Sequence, residues 1–387
     1  MSKNMAMKYA GCIDLKHPII ASSAGTTMNW ERAVKCEEAG YSAVVLKSVQ
    51  EEKLMRYNPA PRFKVIRSGC PGYTSTTFYS YEQAYEKGIE EYAEDVRIAK
   101  EKCSIPIIAS INCINPETWG EYAVACEQAG ADALEIVTSC PSGFLVRDPK
   151  NDNHALALNA LKLCKSKVSI PVIPKMTQQV ANVMYTAKCL DDAGADGLTM
   201  INRLTGIDID VDTMAPILHG GVAGHGGSWA LNATLRWITA VYPIVKATIS
   251  ATGGAMTGRE VIKTLLAGAQ STQVSAVMYL KGYDYVQVML KEIEEWMDEH
   301  SIENLSDIVG IAAEKVKKIE EYDRSKRYYA DPDLTKCKRC AMCRPVCIYE
   351  AIDYTKNGPV IDKDKCDGCG LCSSVCQNNV ITMRVKE

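Results

Sequence analysis

Residues 129–141 read AGADALEIVTSCP, and residues 193–202 follow the same order as AGADGLTMIN. In each segment a glycine that suits the end of a helix is followed by a short apolar run and then by small polar residues. Strict alternation of such runs with helical stretches is typical of a parallel sheet whose strands are joined by helices. The amphipathic stretches that we predict as helices lie at 30–39, 81–102, 118–129, 155–166 and 180–193.

The chain contains eight apolar runs of strand length, which is the number that a closed barrel requires. They predict strands at 18–24, 43–49, 106–112, 133–138, 171–176, 197–201, 247–252 and 272–278. Eight strand–helix units of this size favour a (β/α)8 TIM barrel, in the α/β class, over a doubly wound sheet. A barrel of this kind places its site at the C-terminal ends of the strands, so the residues that follow each strand are the candidates for chemistry.

The composition is that of an ordinary folded protein. Of 387 residues, 47% are hydrophobic and 24% are charged, and 44 Lys and Arg against 47 Asp and Glu give a net charge of −3. This balance gives no reason to expect a nucleic-acid or membrane partner. The N-terminal segment has no apolar stretch of signal-peptide length, and no run is apolar enough to predict a membrane helix. We therefore expect a cytoplasmic protein without disulfides.

Small and polar residues follow the predicted strands, together with two lysines. The strand ends carry Ala21 and Ser22, Lys47, Asn112 and Asn115, Ser139 and Cys140, Lys175, Asn202 and Arg203, Thr252, Gly253 and Gly254, and Ser275 and Ala276. A lysine within an apolar run such as AVVLKSV needs a charge partner or an electron-rich ring, for which an isoalloxazine is suited. The glycines at 220–227 and 253–254 lie near the last two strands, where barrels commonly bind phosphate.

Cys140 is the candidate catalytic residue among the nine cysteines that precede residue 337. Ser-Cys-Pro follows the strand ALEIVT, which places this thiol at the predicted barrel mouth. A thiol there can act as a general acid or base toward a carbon beside one that exchanges hydride. We predict that the other eight cysteines are buried and structural. The histidines show no metal-ligand spacing, and no nucleotide-binding glycine motif occurs, which argues against a zinc hydrolase and a nicotinamide site.

The last eight cysteines form two runs with the spacing C-x2-C-x2-C-x3-C. In two-cluster ferredoxins the fourth cysteine of each such run binds the other cluster. The alternative is zinc, because C-x2-C pairs also form zinc sites. We predict one [4Fe–4S] cluster on Cys337, Cys340, Cys343 and Cys376, and a second on Cys366, Cys369, Cys372 and Cys347.

We expect the domain boundary between residues 328 and 329. Residues 290–335 are charged and helical in pattern, which we interpret as a solvated helical extension of the barrel. The barrel domain is thus predicted over 1–328. A small α+β ferredoxin-like domain with two [4Fe–4S] clusters, of the bacterial type, is predicted over 329–387.

In combination these motifs resemble the dihydroorotate dehydrogenase superfamily, and within it the flavin- and cluster-bearing subunit of dihydropyrimidine dehydrogenases. The resemblance runs from LKHPIIAS at 15–22 through IIASI at 107–111 and ATGG at 251–254 to the cysteine runs. It implies Cys140 as the catalytic acid or base, and Asn202 with Asn112 or Asn115 as readers of substrate amides. It also implies FMN bound by Ala21, Ser22, Lys47, Lys175, Gly224, Gly227, Thr252, Gly253, Gly254, Ser275 and Ala276.

The sequence departs from the family pattern where the substrate is read. Val137 and Ser80 stand where the family has asparagines, Ser142 follows Cys-Pro, and Arg203 follows Asn202 in place of threonine. Each lost hydrogen-bond partner costs about 1–3 kcal/mol, which weakens the case for a pyrimidine. An added arginine favours a carboxylate through paired hydrogen bonds. We therefore expect the family chemistry on a carboxylate-bearing substrate that is not a pyrimidine.

The expected protein is an FMN- and iron–sulfur-dependent oxidoreductase acting on a CH–CH bond, similar to dihydropyrimidine dehydrogenase and assembled as a homo-oligomer. Because no nicotinamide or FAD motif is present, electrons are expected to come from a separate NAD(P)H- and FAD-binding subunit or from a ferredoxin. One alternative is a dihydroorotate dehydrogenase, which Val137 and Ser80 disfavour. A second alternative is an electron-transfer module without a substrate of its own, which the retained Cys140 disfavours.

Overall fold

The computed structural model describes residues 3–51, 61–70, 73–80, 85–139, 152–217 and 222–386. The chain divides into two compact units, Met1–Val316 and Lys317–Glu387. The strands are β1 Met7–Tyr9, β2 Ile13–Leu15, β3 Ile19–Ala21, β4 Val44–Val45, β5 Val49–Gln50, β6 Phe63–Cys70, β7 Tyr73–Ser80, β8 Ile107–Asn112, β9 Ala133–Val137, β10 Val172–Lys175, β11 Gly197–Met200, β12 Leu204–Gly206, β13 Ile209–Asp210, β14 Ala215–Pro216, β15 Ala223–Gly226, β16 Thr248–Thr252, β17 Ser271–Val274, β18 Tyr328–Pro332, β19 Ile352–Thr355, β20 Gly358–Ile361 and β21 Ile381–Val385. The α-helices are α1 Trp30–Ala39, α2 Ile89–Lys102, α3 Pro116–Gln128, α4 Asn153–Lys165, α5 Val183–Asp192, α6 Leu231–Val241, α7 Gly258–Leu266, α8 Ala276–Lys281, α9 Tyr285–Glu299 and α10 Leu371–Ser374.

The first unit is a closed parallel barrel, which confirms the predicted TIM barrel. Its strands are hydrogen-bonded in the order β4, β3, β17, β16, β11, β10, β9 and β8, and β8 pairs back onto β4. β5 also pairs with β8, so β4 and β5 together form the second strand of the barrel along the chain. The predicted strand at 43–49 is therefore two short pieces. They are interrupted where Lys47 N–H donates to the carbonyl of Thr27 at 2.9 Å.

The strands form where apolar residues are continuous because a parallel strand covered by helices is buried on both faces. Every residue of β8 is buried, and so is every residue of β9. The helices begin at polar caps: the Asn29 side chain accepts from Arg32 N–H before α1, and the Thr257 hydroxyl accepts from Glu260 N–H before α7. Gly40 ends α1 with φ of 107°, a left-handed conformation that glycine adopts without strain.

Two antiparallel elements cover the ends of the barrel. At the N-terminal ends of the strands, the β1–β2 hairpin inserts Tyr9, which is fully buried, against Gly197 and toward the Thr199 hydroxyl. Past the C-terminal ends of the strands, β12, β15, β7 and β6 form a four-stranded antiparallel sheet in that order. The sequence analysis did not predict this sheet, although β-branched residues flanking the Pro71-Gly72 dipeptide are a hairpin signal.

Two predicted elements begin or end well away from the expected residue. The helix predicted from residue 81 begins at Ile89, after Gly88, and residues 81–84 lie outside the described part of the chain. The strand predicted over 272–278 ends at Val274, and the short helix α8 follows.

The charged segment 290–335 is not one helical extension. α9 ends at Glu299, and 3-10 turns at Leu305–Ile308, Ala313–Lys315 and Ile319–Glu321 precede β18. Val316 and Ile319 are largely exposed, so this stretch has no continuous apolar face that packing would stabilise as a helix.

The second unit is a small α+β fold. β18 pairs with β21 and β19 pairs with β20, both antiparallel, and α10 contains Cys372 of the second cysteine run. Its core joins Ala330, Ile352 and Ile381 to the buried cysteines Cys343 and Cys372. Such a core is too small to stabilise a fold strongly without bound metal or cross-links.

None of the helices in the described ranges combines the length and the apolar character that crossing a bilayer needs.

Candidate functional site

A cavity opens at the C-terminal ends of the barrel strands. It encloses about 630 Å³ of empty space, part of it open to solvent, which is within the range of small-molecule sites. The predicted residues that line it are Ser22, Lys175, Asn202, Arg203, Gly227, Thr252, Gly253, Gly254, Ser275 and Ala276. It is also lined by Gly226, from the glycine segment at 220–227, and by residues that were not predicted: Ser23, Ala24, Phe78, Ala255, Met256, Gln273 and Val274.

One end of the cavity is built from backbone that only glycine permits. Gly253 and Gly254 follow β16 with φ of 106° and 99°. A Cβ atom on Gly254 would lie 2.3 Å from the backbone nitrogen of Leu231, the first residue of α6. The side chain that precedes α6 makes no capping hydrogen bond. Helix α6 continues directly from a 3-10 turn at Ser228–Ala230, where the Leu231 N–H donates to the Ser228 carbonyl. Loop amides at a glycine pair beside the first turns of a helix are suited to bind a phosphate.

Lys175 ends β10 at the floor of the cavity and has a carboxylate partner. Its Nζ lies 3.1 Å from Oε1 of Glu135, and the side chains are 7% and 1% exposed, respectively. The Oε2 atom of Glu135 accepts hydrogen bonds from Gln273 Nε2 and Thr199 Oγ1, both at 2.9 Å. Ser22 Oγ donates to Gln273 Oε1 at 3.2 Å, which continues this network to the cavity wall. The buried lysine is thus compensated by the protein itself.

Lys47 and Ala21 are not among the residues that line the cavity. Ala21 is the buried last residue of β3, and Lys47 is buried between β4 and β5. Their predicted contacts with a cofactor stay predictions.

Asn202 and Arg203 follow β11 and line the cavity. The Asn202 amide donates to Ser139 Oγ at 3.0 Å, and its carbonyl accepts from Arg203 N–H. The guanidinium of Arg203 donates to the buried Ser80 hydroxyl and packs on the backbone of Gly224, where a Cβ would lie 2.5 Å from Cζ. Within the described residues Arg203 has no ion-pair partner. A cation is therefore held at the cavity without a carboxylate of the described chain.

Asn112, Asn115 and Val137 do not line the cavity formed by the described residues. The Asn112 amide donates to the carbonyl of Val137, and so joins the ends of β8 and β9. Asn115 occupies the N-cap position of α3 without a capping side-chain hydrogen bond, and its side chain donates to Glu51. Although burial opposes it, hydrogen bonds from Ile114 and Asn115 lower the pKa of Glu51. The structure thus gives both asparagines a role within the protein.

Cys140 lies outside the described residues, whereas its neighbour Ser139 is described and contacts Asn202. Ser142, the other departure next to it, also lies outside them.

The remaining scattered cysteines are mostly buried, as predicted. Burial raises the pKa of Cys36, Cys103 and Cys164 to about 12, so these thiols stay protonated. Cys12 contradicts the prediction, because it is exposed in the turn between β1 and β2. Within the described residues no helix or strand packs over this hairpin turn at Cys12, so that side chain stays in contact with solvent.

In the second unit, two cavities are lined by the clustered cysteines. One is lined by Cys337, Cys340, Cys343 and Cys376. The other is lined by Cys366, Cys369, Cys372 and Cys347. In both, the fourth cysteine comes from the other run, which is the exchange that the spacing predicts. Among the described residues no three His, Cys, Asp or Glu side chains are grouped tightly enough to hold a single metal ion.

Comparison with known proteins matches both units. Dihydroorotate dehydrogenase is the family that matches residues 5–297, and a 4Fe-4S binding domain matches residues 359–382. The NAD-dependent dihydropyrimidine dehydrogenase subunit PreA of Escherichia coli (strain K12) is 27% identical over 358 residues, which cover 90% of this chain and 86% of that protein. The catalytic subunit of dihydroorotate dehydrogenase B (NAD(+)) from Methanocaldococcus jannaschii is 27% identical over 305 residues, 78% of this chain and 96% of that protein. The corresponding subunit from Citrifermentans bemidjiense is 31% identical over 313 residues, with coverage of 79% and 97%.

Proposed function

The chain belongs to the dihydroorotate dehydrogenase family, and on that premise we propose that it reduces, or forms, a carbon–carbon double bond in a carboxylate-bearing substrate. It is a flavin-dependent oxidoreductase acting on CH–CH groups, with a 4Fe–4S ferredoxin domain at its C-terminal end. The observation that carries the proposal is the cavity at the barrel mouth. It combines a glycine-built end, a buried lysine and the guanidinium of Arg203, which has no ion-pair partner among the described residues.

The flavin proposed for this cavity is FMN. When bound, it supplies a ring that gives or takes a hydride and a phosphate that anchors it. The amides around Gly253, Gly254 and Ala276 suit the phosphate, while Ser22 and Lys175 suit polar atoms of the ring. These residues account for the ring and one phosphate of a flavin, so FMN is proposed here and not FAD, which carries a second phosphate and an adenine.

Gly254→Ala is expected to lower FMN affinity by at least about tenfold. The added methyl group would lie 2.3 Å from Leu231 N, and φ of 99° strains any residue with a Cβ, so the loop that holds the phosphate must move. FMN retention after gel filtration, read from the absorbance of the flavin, measures the effect. Gly282→Ala is the matched control, since it also has positive φ but open space around it. Equal retention in both variants would contradict a phosphate site at Gly254.

Cys140 is proposed as the acid or base. Ser139, to which it is bonded, lies with its Oγ 3.0 Å from the Asn202 amide at the cavity wall. The thiol would give a proton to, or take one from, the carbon beside the one that exchanges hydride. Asn202 would orient the substrate and Arg203 would bind its carboxylate.

The substrate class is tested by the Arg203→Gln variant in a flavin reoxidation assay. Under anaerobic conditions the reduced protein is mixed with orotate, fumarate, crotonate, uracil or thymine, and flavin absorbance is followed. At least one carboxylate is expected to reoxidise the flavin. Arg203→Gln should raise its half-saturating concentration by about 10- to 100-fold with little change in the limiting rate, as for a lost charge-assisted hydrogen bond.

The control is Arg259→Gln, which removes an exposed guanidinium paired with Glu299 on the barrel exterior. Rapid reoxidation by uracil or thymine, with none by the carboxylates, would refute the proposed substrate. Rapid reoxidation by orotate alone would favour the second candidate, a dihydroorotate dehydrogenase. That candidate is supported by Arg203, because orotate carries a carboxylate, and by the dihydroorotate dehydrogenase B subunits.

The second unit is proposed to bind two [4Fe–4S] clusters, one in each cysteine-lined cavity. We further propose that electrons come from a separate protein. PreA is named a subunit of an NAD-dependent enzyme, and the dihydroorotate dehydrogenase B relatives are named catalytic subunits. A division of labour of this kind would also explain the absence of a nicotinamide-binding motif in the sequence. The predicted domain division after residue 328 remains a proposal.

A further inference from the structure

The two cysteine runs occupy equivalent positions in an internal repeat but carry different charges. Lys338, Arg339 and Arg344 of the first run correspond to Asp367, Gly368 and Ser373 of the second. No acidic residue lies between Cys337 and Cys347. The first loop is therefore cationic, and its counterpart in the same fold is not.

These three cations are exposed, and none has an ion-pair partner in the described part of the chain. Lys338 borders the cavity lined by Cys337, and the exposed Cys340 lies between the cations in the sequence. The positive charge of the first loop is thus presented to solvent beside a cysteine-lined cavity.

Arg339 occupies a backbone conformation that favours glycine. Its φ is 56°, whereas its counterpart Gly368 has φ of 77°. The Arg339 N–H donates to Cys337 Sγ at 3.4 Å, a contact that glycine would make equally well. A side chain in this conformation costs stability, and such local strain is typical of functional positions. Glycine occupies the equivalent position of the second run, so the conformation of the loop does not require the arginine side chain, and the nearby Ala341 has a similar φ of 60°.

We propose that the loop of residues 337–344 is the docking surface for a protein electron carrier whose redox centre is surrounded by acidic residues. The inference rests on the proposed cluster binding. Unpaired surface cations accelerate association with an oppositely charged partner and orient it, at little cost in desolvation. Because Cys340 is exposed among them, a carrier bound to these cations would lie close to the cavity of the first run. The charge pattern disfavours a basic carrier.

The test compares two variants of the full chain with the same change in net charge. The first variant, the loop exchange, carries Lys338→Asp, Arg339→Gly and Arg344→Ser. Each new residue is the one found at the equivalent position of the second run. The control is Lys363→Glu with Lys365→Glu beside the second run. Surface plasmon resonance measures association with an acidic [2Fe–2S] ferredoxin, and with a single-stranded DNA oligonucleotide, over a range of ionic strengths.

At low ionic strength the loop exchange is expected to slow ferredoxin association by about tenfold or more and to flatten its salt dependence, while the control changes it little. Equal effects of the two variants, or binding of the DNA but not of the ferredoxin, would overturn the docking surface. Iron content and the loss of visible absorbance on reduction with dithionite show whether the clusters are present, independently of ferredoxin binding. A wild-type chain without iron would contradict the proposed function, whereas normal iron with unaltered ferredoxin binding would overturn only the docking surface.

Discussion

Cys140→Ser is expected to lower turnover by about 10²- to 10⁴-fold, the contribution typical of a general acid or base, while FMN remains bound. A serine hydroxyl has nearly the shape of the thiol but is a far weaker acid, so it cannot deliver or take the proton at neutral pH. The substitution leaves untouched the residues proposed to hold the flavin. Steady-state turnover with the active carboxylate and the flavin-to-protein ratio together measure the effect.

The matched control for this prediction is Cys12→Ser, because Cys12 is an exposed cysteine in the turn at the opposite end of the barrel. The same experiment decides between an enzyme and an electron-transfer module. In a module that only relays electrons, Cys140→Ser would leave the reduction of an artificial acceptor unchanged, and no substrate-dependent rate would exist to lose. Full turnover of the variant would rule out Cys140 as the acid or base.

The barrel could be predicted because its signal is local and repeated. Each buried strand reads as an apolar run, and segments such as AGAD mark the passage from a helix to the next strand. The antiparallel sheet over the mouth could not be predicted in the same way. β12 and β15 are short and only partly buried, and β15 pairs with β7 across more than a hundred residues of chain. Nothing in a local window records such a pairing.

The cysteine runs were predictable for a different reason, since ligand spacing is written directly in the sequence. The polar network below the cavity was not. A lysine in an apolar run indicates that a partner must exist, but Glu135 lies 40 positions away on the neighbouring strand. From the sequence, the partner of the lysine could be either an opposite charge or a flavin ring. The glutamate in ALEIV was itself the missing signal, because a buried carboxylate needs a cation as much as the lysine needs an anion.

Glu135→Gln is expected to lower the free energy of unfolding of the barrel by about 3–5 kcal/mol, the usual cost of removing one partner of a buried ion pair. Glutamine has the shape of glutamate and can still accept hydrogen bonds from Gln273 and Thr199. The loss of stability therefore measures the effect of leaving the charge of Lys175 without its anion. All five tryptophans lie before residue 317, so tryptophan fluorescence in urea follows this unit alone. Excess FMN in every sample prevents loss of the cofactor from contributing to the measured change in the free energy of unfolding.

Two further variants make this prediction specific to the buried pair. Glu94→Gln removes an exposed partner of Arg97 and is expected to cost less than about 1 kcal/mol. Glu135→Gln combined with Lys175→Met removes both charges, so it should recover much of the stability that the single variant loses. The recovery would show that Glu135 stabilises the barrel by compensating Lys175 at the floor of the site. If the single and double variants unfold at the same urea concentration as the wild type, the pair has no such role.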